Sequence, residues 1–457
     1  MDFKVRGKTT LEGTKPRSTT HRLADARAAR PSAISDLAQQ PISARFELLL
    51  LTITATAQVF ALTTLNPLQE TMRIALGLSD NQIGLLQGPA VAFPMLLCTV
   101  PLGLAIDRYS RARLTFLLAV LCVVGSVVTA VTTSFTVLFL ARFVIGLTST
   151  ATVPTAYSML ADLYTPVQRG RASMTVVLGE QFGTAGAFII GGVLLTRFGT
   201  GPNGWRWAQL GMTIPLVPVA LLMLALHEPQ RTAPIVKKPP VWESFVKLWR
   251  YRWVFLPLMT GIAMASMANW APTIWAAPMF ARRFSLSPDR IGALMAVAVL
   301  VSGILGPLIG GPLADVCQRT GGPRRTISVL SALTLVSVPS GLFSVTRGPI
   351  SATILLSIFM TILIAIIVAG SALLTIVVPS EVLGLCMSIL AGDGMLLGAG
   401  LAPMMVSWVS GALGGLTMIG KALALVCVST TLFGALAFAI GRRYLPPQRC
   451  SETLPPA

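Results

Sequence analysis

The sequence predicts an all-α polytopic membrane protein of twelve transmembrane helices arranged as two pseudo-symmetric six-helix bundles. Three observations carry that prediction. Mean hydropathy is +0.75 over 457 residues, and only 11% of residues are charged, against about 25% in soluble domains. The remaining charge falls in short patches separated by apolar runs of about 20 residues, long enough to cross a ~30 Å hydrocarbon core. Two of the patches then recur at a fixed offset.

In chain order, residues 1–45 form a polar leader of mixed charge, expected to be a disordered cytoplasmic tail. Its Arg6–Thr10 run, RGKTT, lacks the first glycine, the strand and the helix of a phosphate-binding loop. Spans follow at roughly 46–68, 82–105, 114–133, 135–161, 173–196 and 206–226, the first bundle. A polar stretch, 227–252, holds Pro239 and Pro240 and reads as a cytoplasmic linker. The second bundle, 253–441, carries spans at 253–277, 290–313, 326–345, 350–378, 383–410 and 419–441, leaving 442–457 as a C-terminal tail.

With both termini on one side, 26 Lys and Arg lie on that face, 8 on the other and Arg142 inside a span. The positive-inside rule makes the richer face cytoplasmic. The net charge of +18 therefore reports topology and affinity for anionic lipid headgroups, and no nucleic-acid partner is expected. Cys98, Cys122, Cys317, Cys386, Cys427 and Cys450 form no CxxC or metal-like cluster, and both histidines, His21 and His227, lie outside the spans. Free thiols and no metal are the expectation.

The repeat has an offset of 208. LSDNQIG (Leu78 to Gly84) falls on LSPDRIG (Leu286 to Gly292), and GLAIDRYSRAR (Gly103 to Arg113) on a patch in which Gly103, Asp107 and Arg111 match Gly311, Asp315 and Arg319. Span 2 is thus the counterpart of span 8, and the chain is a duplicated six-helix unit, a transporter architecture. At these residues the chain resembles the major facilitator superfamily, whose loop signature Gly-x-x-x-Asp-Arg-x-x-Arg-x-Arg is similar to GLAIDRYSRAR, with Ser110 in place of a glycine. Within it, GLSDNQIGLLQGPA, ARFVIGLTSTATVPTAYSMLADLYTPVQRGRA and the Trp270-Ala-Pro272 stretch with Arg282-Arg283 behind it resemble the spinster-like branch and its bacterial relatives.

That resemblance implies a gate at the cytoplasmic ends. Gly103, Asp107, Arg108 and Arg111, with Gly311 and Asp315 in the second half, would latch the two halves in an outward-open state. The set Asp162, Arg169 and Arg171 suits a salt-bridge network that breaks as the halves rock; a solvated loop is the plainer reading.

Arg142 lies seven residues into span 4, roughly 10 Å deep, where an arginine must face a cavity or a partner. The resemblance implies a central cavity lined by spans 1, 4, 7 and 10, so Arg142 is expected to face it and to hold a carboxylate or phosphate bidentately; the alternative is a structural arginine paired within the protein. Spinster-like chains carry a glutamate seven residues on, where this sequence has Ser149. Gln58, Asn66, Ser149, Asn269 and Trp270 complete the candidate substrate site. Two carboxyls lie inside the symmetry-related spans 5 and 11, Glu180 and Asp393. Burial disfavours the charged form of a carboxyl, so these are the candidates for proton coupling; helix-fastening neutral acids are the alternative. The span-5 glycines (Gly179, Gly183, Gly186, Gly191, Gly192) are expected to pack against Gly303, Gly306 and Gly310 of span 8.

The sequence offers no nucleophile–base pair, nucleotide loop or metal set, so an enzyme is not expected and no cofactor is required beyond a proton gradient. The expectation is a secondary active transporter in the cytoplasmic membrane, working as a monomer on a small organic anion or an amphipathic or aromatic molecule. A lysolipid or sphingoid-type substrate and a non-transporting ligand sensor stand as alternatives.

Overall fold

The structure, a computed structural model, describes residues 42–226, 241–249 and 252–445; the side chains of 42, 43, 99, 100, 103–108, 153, 161, 166, 167, 241–244 and 380 lie outside that description. Successive spans reverse direction and so define two faces. The face bearing the first and last described residues is called the terminal face, and its opposite the far face.

Span 1 is α1 (Ile42–Thr63) continued by α2 (Leu65–Leu76), closed by Gly77 at φ 64°. Span 2 is α3 (Asp80–Gln87) and α4 (Pro89–Arg108), bent at Gly88. Spans 3, 4 and 5 are α5 (Arg111–Val131), α6 (Phe135–Leu163) and α7 (Pro166–Phe198). Span 6 is α8 (Gly204–Thr213) with α9 (Leu216–Leu222), split before Pro215. A short helix, α10 (Val241–Trp249), precedes span 7, α11 (Arg252–Phe284).

Spans 8 and 9 run together as α12 (Pro288–Ser337), broken at Gly322, whose φ of 62° and ψ of −161° end one helix before Pro323 starts the next. Span 10 is α13 (Pro349–Val377). Span 11 has three parts: α14 (Ser380–Asp393), a π-helical stretch Gly394–Leu401, and α15 (Ala402–Ala412). Span 12 is α16 (Ile419–Tyr444). Ten segments are long and apolar enough to cross a membrane, one of them the 58-residue Pro288–Val345 run that Gly322 divides; α4 lies outside that count, so the described helices amount to twelve spans.

Several boundaries differ from the sequence reading, among them the end of span 1 at Leu76 and of span 7 at Phe284. Span 1 starts at Ile42 and span 12 continues to Tyr444, since their charged ends are helix-compatible and nothing stops the turn. The linker, read as polar loop, contains α10, tied to span 11 by an exposed Lys247–Glu381 pair at 2.9 Å. The loop expected between spans 8 and 9 is mostly helix up to Gly322, because the run through Thr320 has no breaker.

The repeated LSxxxIG motif now has a physical meaning. Ser79 caps span 2 with the reciprocal Gln82 contacts of a capping box, and Ser287 occupies the same N-cap position at span 8. Ile83 and Ile291 are buried. Gly84 lies on Pro403 and Ser407 of span 11, while Gly292 lies on the Phe188 backbone of span 5. Each half therefore uses the same motif to cross its partner near the far face, as small residues permit in membranes. The span-5 glycines divide their work: Gly192 meets Pro288 of span 8, but Gly179 and Gly183 pack on Thr52 and Thr56 of span 1, and Gly191 meets Pro67. Gly306 and Gly310 pack on span 10, at Ile364 and Ala365.

Candidate functional site

At the far face, the last turn of span 1 and the start of span 2 bring Glu70, Arg73 and Asp80 together. The last turn of span 7 inserts Arg282 from the other half. Arg282 Nη1 and Nη2 donate to Asp80 Oδ2 and Oδ1 at 2.8 and 2.7 Å, and Nε and Nη2 donate to Glu70 Oε2 at 2.9 and 2.7 Å. Arg73 donates to Glu70 at 2.8 Å and lies 3.8 Å from Asp80. The four side chains are 11–18% exposed. Two guanidinium forks against two carboxylates form a charge-balanced cluster, and the fork geometry suits bidentate pairing. Among the described residues, the Arg282 pairs are the ion pairs that join the two bundles.

Beneath this cluster runs a buried polar seam. Arg142 is 2% exposed; its Nη2 donates to the Leu62 carbonyl at 3.0 Å and to Gln87 Oε1 at 2.9 Å. Gln87 Nε2 donates in turn to Asn66 and Gln69, both at 2.8 Å. Asn66 and Gln69 then donate to the Thr273 and Ile274 carbonyls of span 7 at 3.1 and 2.6 Å. Pro278 has no N–H for the carbonyl four residues earlier, so the Gln69 amide supplies the donor that Ile274 lacks. Pro272 leaves the Ala268 carbonyl in the same position, and the Cys427 thiol donates to it at 3.9 Å. Prolines in span 7 thus expose carbonyls that are read by span 1 of the first bundle and by span 12 of the second.

The candidate residues of the sequence reading fall in different places. Arg142 and Asn66 belong to the seam. Gln58 donates to Thr148 and Ser149 at 2.7 and 3.3 Å, a second tie between spans 1 and 4. Trp270 covers Gly398 in the π-helical stretch of span 11. Asn269 Oδ1 is shielded from solvent without a hydrogen-bond partner among the described residues, as is Glu180 Oε1.

Asp393 stands apart from all of these, at the junction of α14 and the π-helical stretch, and lines a cavity of about 530 Å³. The walls are Leu96 of span 2, Phe255, Met259 and Ala263 of span 7, and Ile389 and Leu396 of span 11. Among the described residues, Asp393 is the one charged group in that lining. The cavity lies between the bundles on the terminal-face side of the Gly88–Gly400 crossing, where spans 2 and 11 touch backbone to backbone. Helix breaks of the π type are frequent at functional sites.

On the terminal face, Arg111 Nη1 donates to Asp162 Oδ2 at 2.7 Å and to Ser158 at 3.0 Å, with Arg111 only 3% exposed. Arg169 Nε donates to the Tyr164 carbonyl at 3.0 Å. These ties lie within the first bundle. Arg171 sits two residues further along α7. Gly311 has open space beside it and Asp315 is exposed. Gly103, Asp107 and Arg108 fall in α4, with side chains outside the described set.

Residues 48–279, just over half of the chain, match the sequence profile of the Major Facilitator Superfamily. The chain belongs to that superfamily. Its members are transporters rather than enzymes. Among curated relatives, this facilitator is 25% identical over 288 residues to an MFS-type efflux pump from Mycolicibacterium smegmatis, covering 61% of this chain and 63% of that protein, so the match spans somewhat under two thirds of the relative. A bacterial homolog of the human lysosomal transporter Spinster, solved in an inward-facing and unoccupied conformation, superposes with a TM-score of 0.76 at 21% identity, over 88% of this chain and 97% of that one. A nucleoside transporter superposes with a TM-score of 0.67 at 14% identity, over 87% of this chain and all of that one. At these identities the likeness is one of fold, and folds do not fix substrates.

Sequence reasoning missed Glu70, Arg73, Asp80, Gln69 and Gln87. The signal was present: an acid and a base three residues apart just beyond the apolar run of span 1, and two glutamines among apolar neighbours. Ending span 1 at residue 68 placed Gln69, Glu70, Arg73 and Asp80 in a loop, where such residues need no partner, and Gln87 reads as an ordinary residue of span 2.

Proposed function

We propose that this facilitator is a secondary active transporter that carries an amphipathic molecule across the cytoplasmic membrane by alternating access, coupled to protons. The observation that carries the reading is the unequal state of the two faces. Arg282 and its carboxylates close the far face, whereas the cavity between the bundles lies toward the terminal face. A two-bundle protein closed at one end and hollow toward the other has the form that a rocking mechanism requires. In this reading the terminal face is cytoplasmic, both termini lie inside, the monomer is the working unit, and the proton gradient replaces any cofactor.

The cavity supports an amphipath over a small anion. Among the described residues its lining is apolar apart from Thr260, Ser388 and Asp393, which suits a molecule with a large apolar part and one polar group. Arg142, the basis for an anion, stands outside that lining and is held by Leu62 and Gln87. A single-chain lipid of the kind implied by the spinster-like resemblance fits the same description.

Glu180 and Asp393 are the proton-carrying candidates, each a carboxyl inside a span without a salt bridge among the described residues. The test is substrate counterflow and pH-driven accumulation in proteoliposomes, using a panel of amphipathic compounds. Glu180→Gln is expected to abolish accumulation while sparing counterflow. Accumulation untouched in both Glu180→Gln and Asp393→Asn would remove the proton assignment. Binding without exchange of label across the bilayer would leave a sensor rather than a transporter.

A further inference from the structure

A second cavity, of about 290 Å³, lies at the terminal-face end of spans 7 and 12 and is lined by Arg252, Trp253, Leu256, Pro257, Ile440 and Tyr444, among others. Trp253 and Tyr444 stack across it with ring centroids 5.6 Å apart. The Arg252 guanidinium lies 5.3 Å from the Trp253 ring centroid and donates one N–H to the Trp249 carbonyl at 3.3 Å. It makes no ion pair among the described residues. Arg252 is the first residue of the apolar span, the level at which a hydrocarbon core is expected to give way to headgroups.

We infer that this cavity is a binding site for an anionic phospholipid of the surrounding bilayer, with the headgroup phosphate on Arg252 and an acyl chain along Leu256, Pro257 and Ile440. The chemistry is specific to that class. A guanidinium without a carboxylate partner offers a fork of donors that matches a phosphate, and tryptophan and tyrosine side by side mark the interfacial level. Below them the described lining is apolar apart from Thr260, a surface that an acyl chain would use and a free phosphate would not. Basic pockets between helices on the positively charged side of a membrane protein are suited to such headgroups. The site also borders the transport cavity, because Leu256 and Thr260 line both. This assignment does not depend on the identity of any transported molecule.

The test compares spin-labelled phosphatidylglycerol and spin-labelled phosphatidylcholine on the full-length protein in bilayers, read by electron paramagnetic resonance as relative association. The native protein is expected to prefer phosphatidylglycerol about fivefold, the size of one arginine's attraction at an anionic surface. Arg252→Gln is expected to bring that ratio close to one, while Arg443→Gln, which lies outside the cavity, keeps it. Equal loss in Arg252→Gln and Arg443→Gln would reduce the effect to the general charge of the face and overturn the site, as would no loss in Arg252→Gln. Ile440→Trp fills the groove and leaves Arg252 in place. It is expected to lose the preference too, and retention there overturns the acyl-chain seat. Displacement of the lipid by inorganic phosphate alone would assign the site to a free anion instead.

Discussion

Replacing Arg282 by Gln removes the one side chain through which the second bundle grips both carboxylates of the first at the far face. Its contacts of 2.7–2.9 Å to Glu70 and Asp80 are charge-assisted, and breaking a fully buried pair by deleting one partner costs about 3–5 kcal/mol. Two features reduce that figure. The partners are 11–18% exposed, and Arg73 stays within 2.8 Å of Glu70 and 3.8 Å of Asp80 to compensate the freed charge. A net loss of about 2 kcal/mol for the closed far face follows, roughly a 30-fold change in the ratio of closed to open molecules. A protein closed in about 99 of 100 molecules would then be open at that face in about one in four. Spin labels at Ile74→Cys and Leu413→Cys, exposed positions at the ends of spans 1 and 11, report the change as a longer distance in pulsed dipolar measurements. A Glu70→Gln, Asp80→Asn double variant is expected to show the same longer population. If Arg282→Gln leaves the distance distribution as in the native protein, the cluster is not the far-face gate.

Other substitutions probe the packing around the same pathway. Arg111→Gln removes the 2.7 Å pair with Asp162, both of whose side chains are nearly enclosed, so thermal unfolding in detergent is expected to show a loss of up to about 3 kcal/mol. Gly88→Ala drives a methyl into the Gly400 carbonyl where spans 2 and 11 cross; overpacking of about 1–3 kcal/mol is expected, against little change for Gly411→Ala, which meets open space. Gln69→Leu leaves the Ile274 carbonyl without its donor and is expected to cost about 1–3 kcal/mol, measured by the same melt; no loss would mean that water or a neighbour satisfies that carbonyl.

The candidate site was legible only in part. Arg142, Glu180 and Asp393 stand out in a sequence because a charged group inside an apolar run is costly and needs a reason. What each one faces is a different matter, since helix rotation and neighbours set it. Arg142 turns to Gln87 and the Leu62 carbonyl, whereas Asp393 faces a cavity that residues of spans 2, 7 and 11 close together. The far-face cluster joins Arg282 to partners 212 and 202 residues away. The Glu70–Arg73 pair three residues apart is visible locally, but nothing local to either half shows that Arg282 joins it.

The sequence by itself determined the solvent, the element type and the duplication. Hydrocarbon leaves backbone groups no partner but the helix, and the 208-residue echo of LSxxxIG records one crossing made twice. Tertiary structure alone decided which face is shut and which carbonyls are read, because these depend on how two bundles of the same pattern meet. The prolines of span 7 were visible in the chain, but the amide and thiol that answer them come from spans 1 and 12, brought there by packing between helices far apart in sequence.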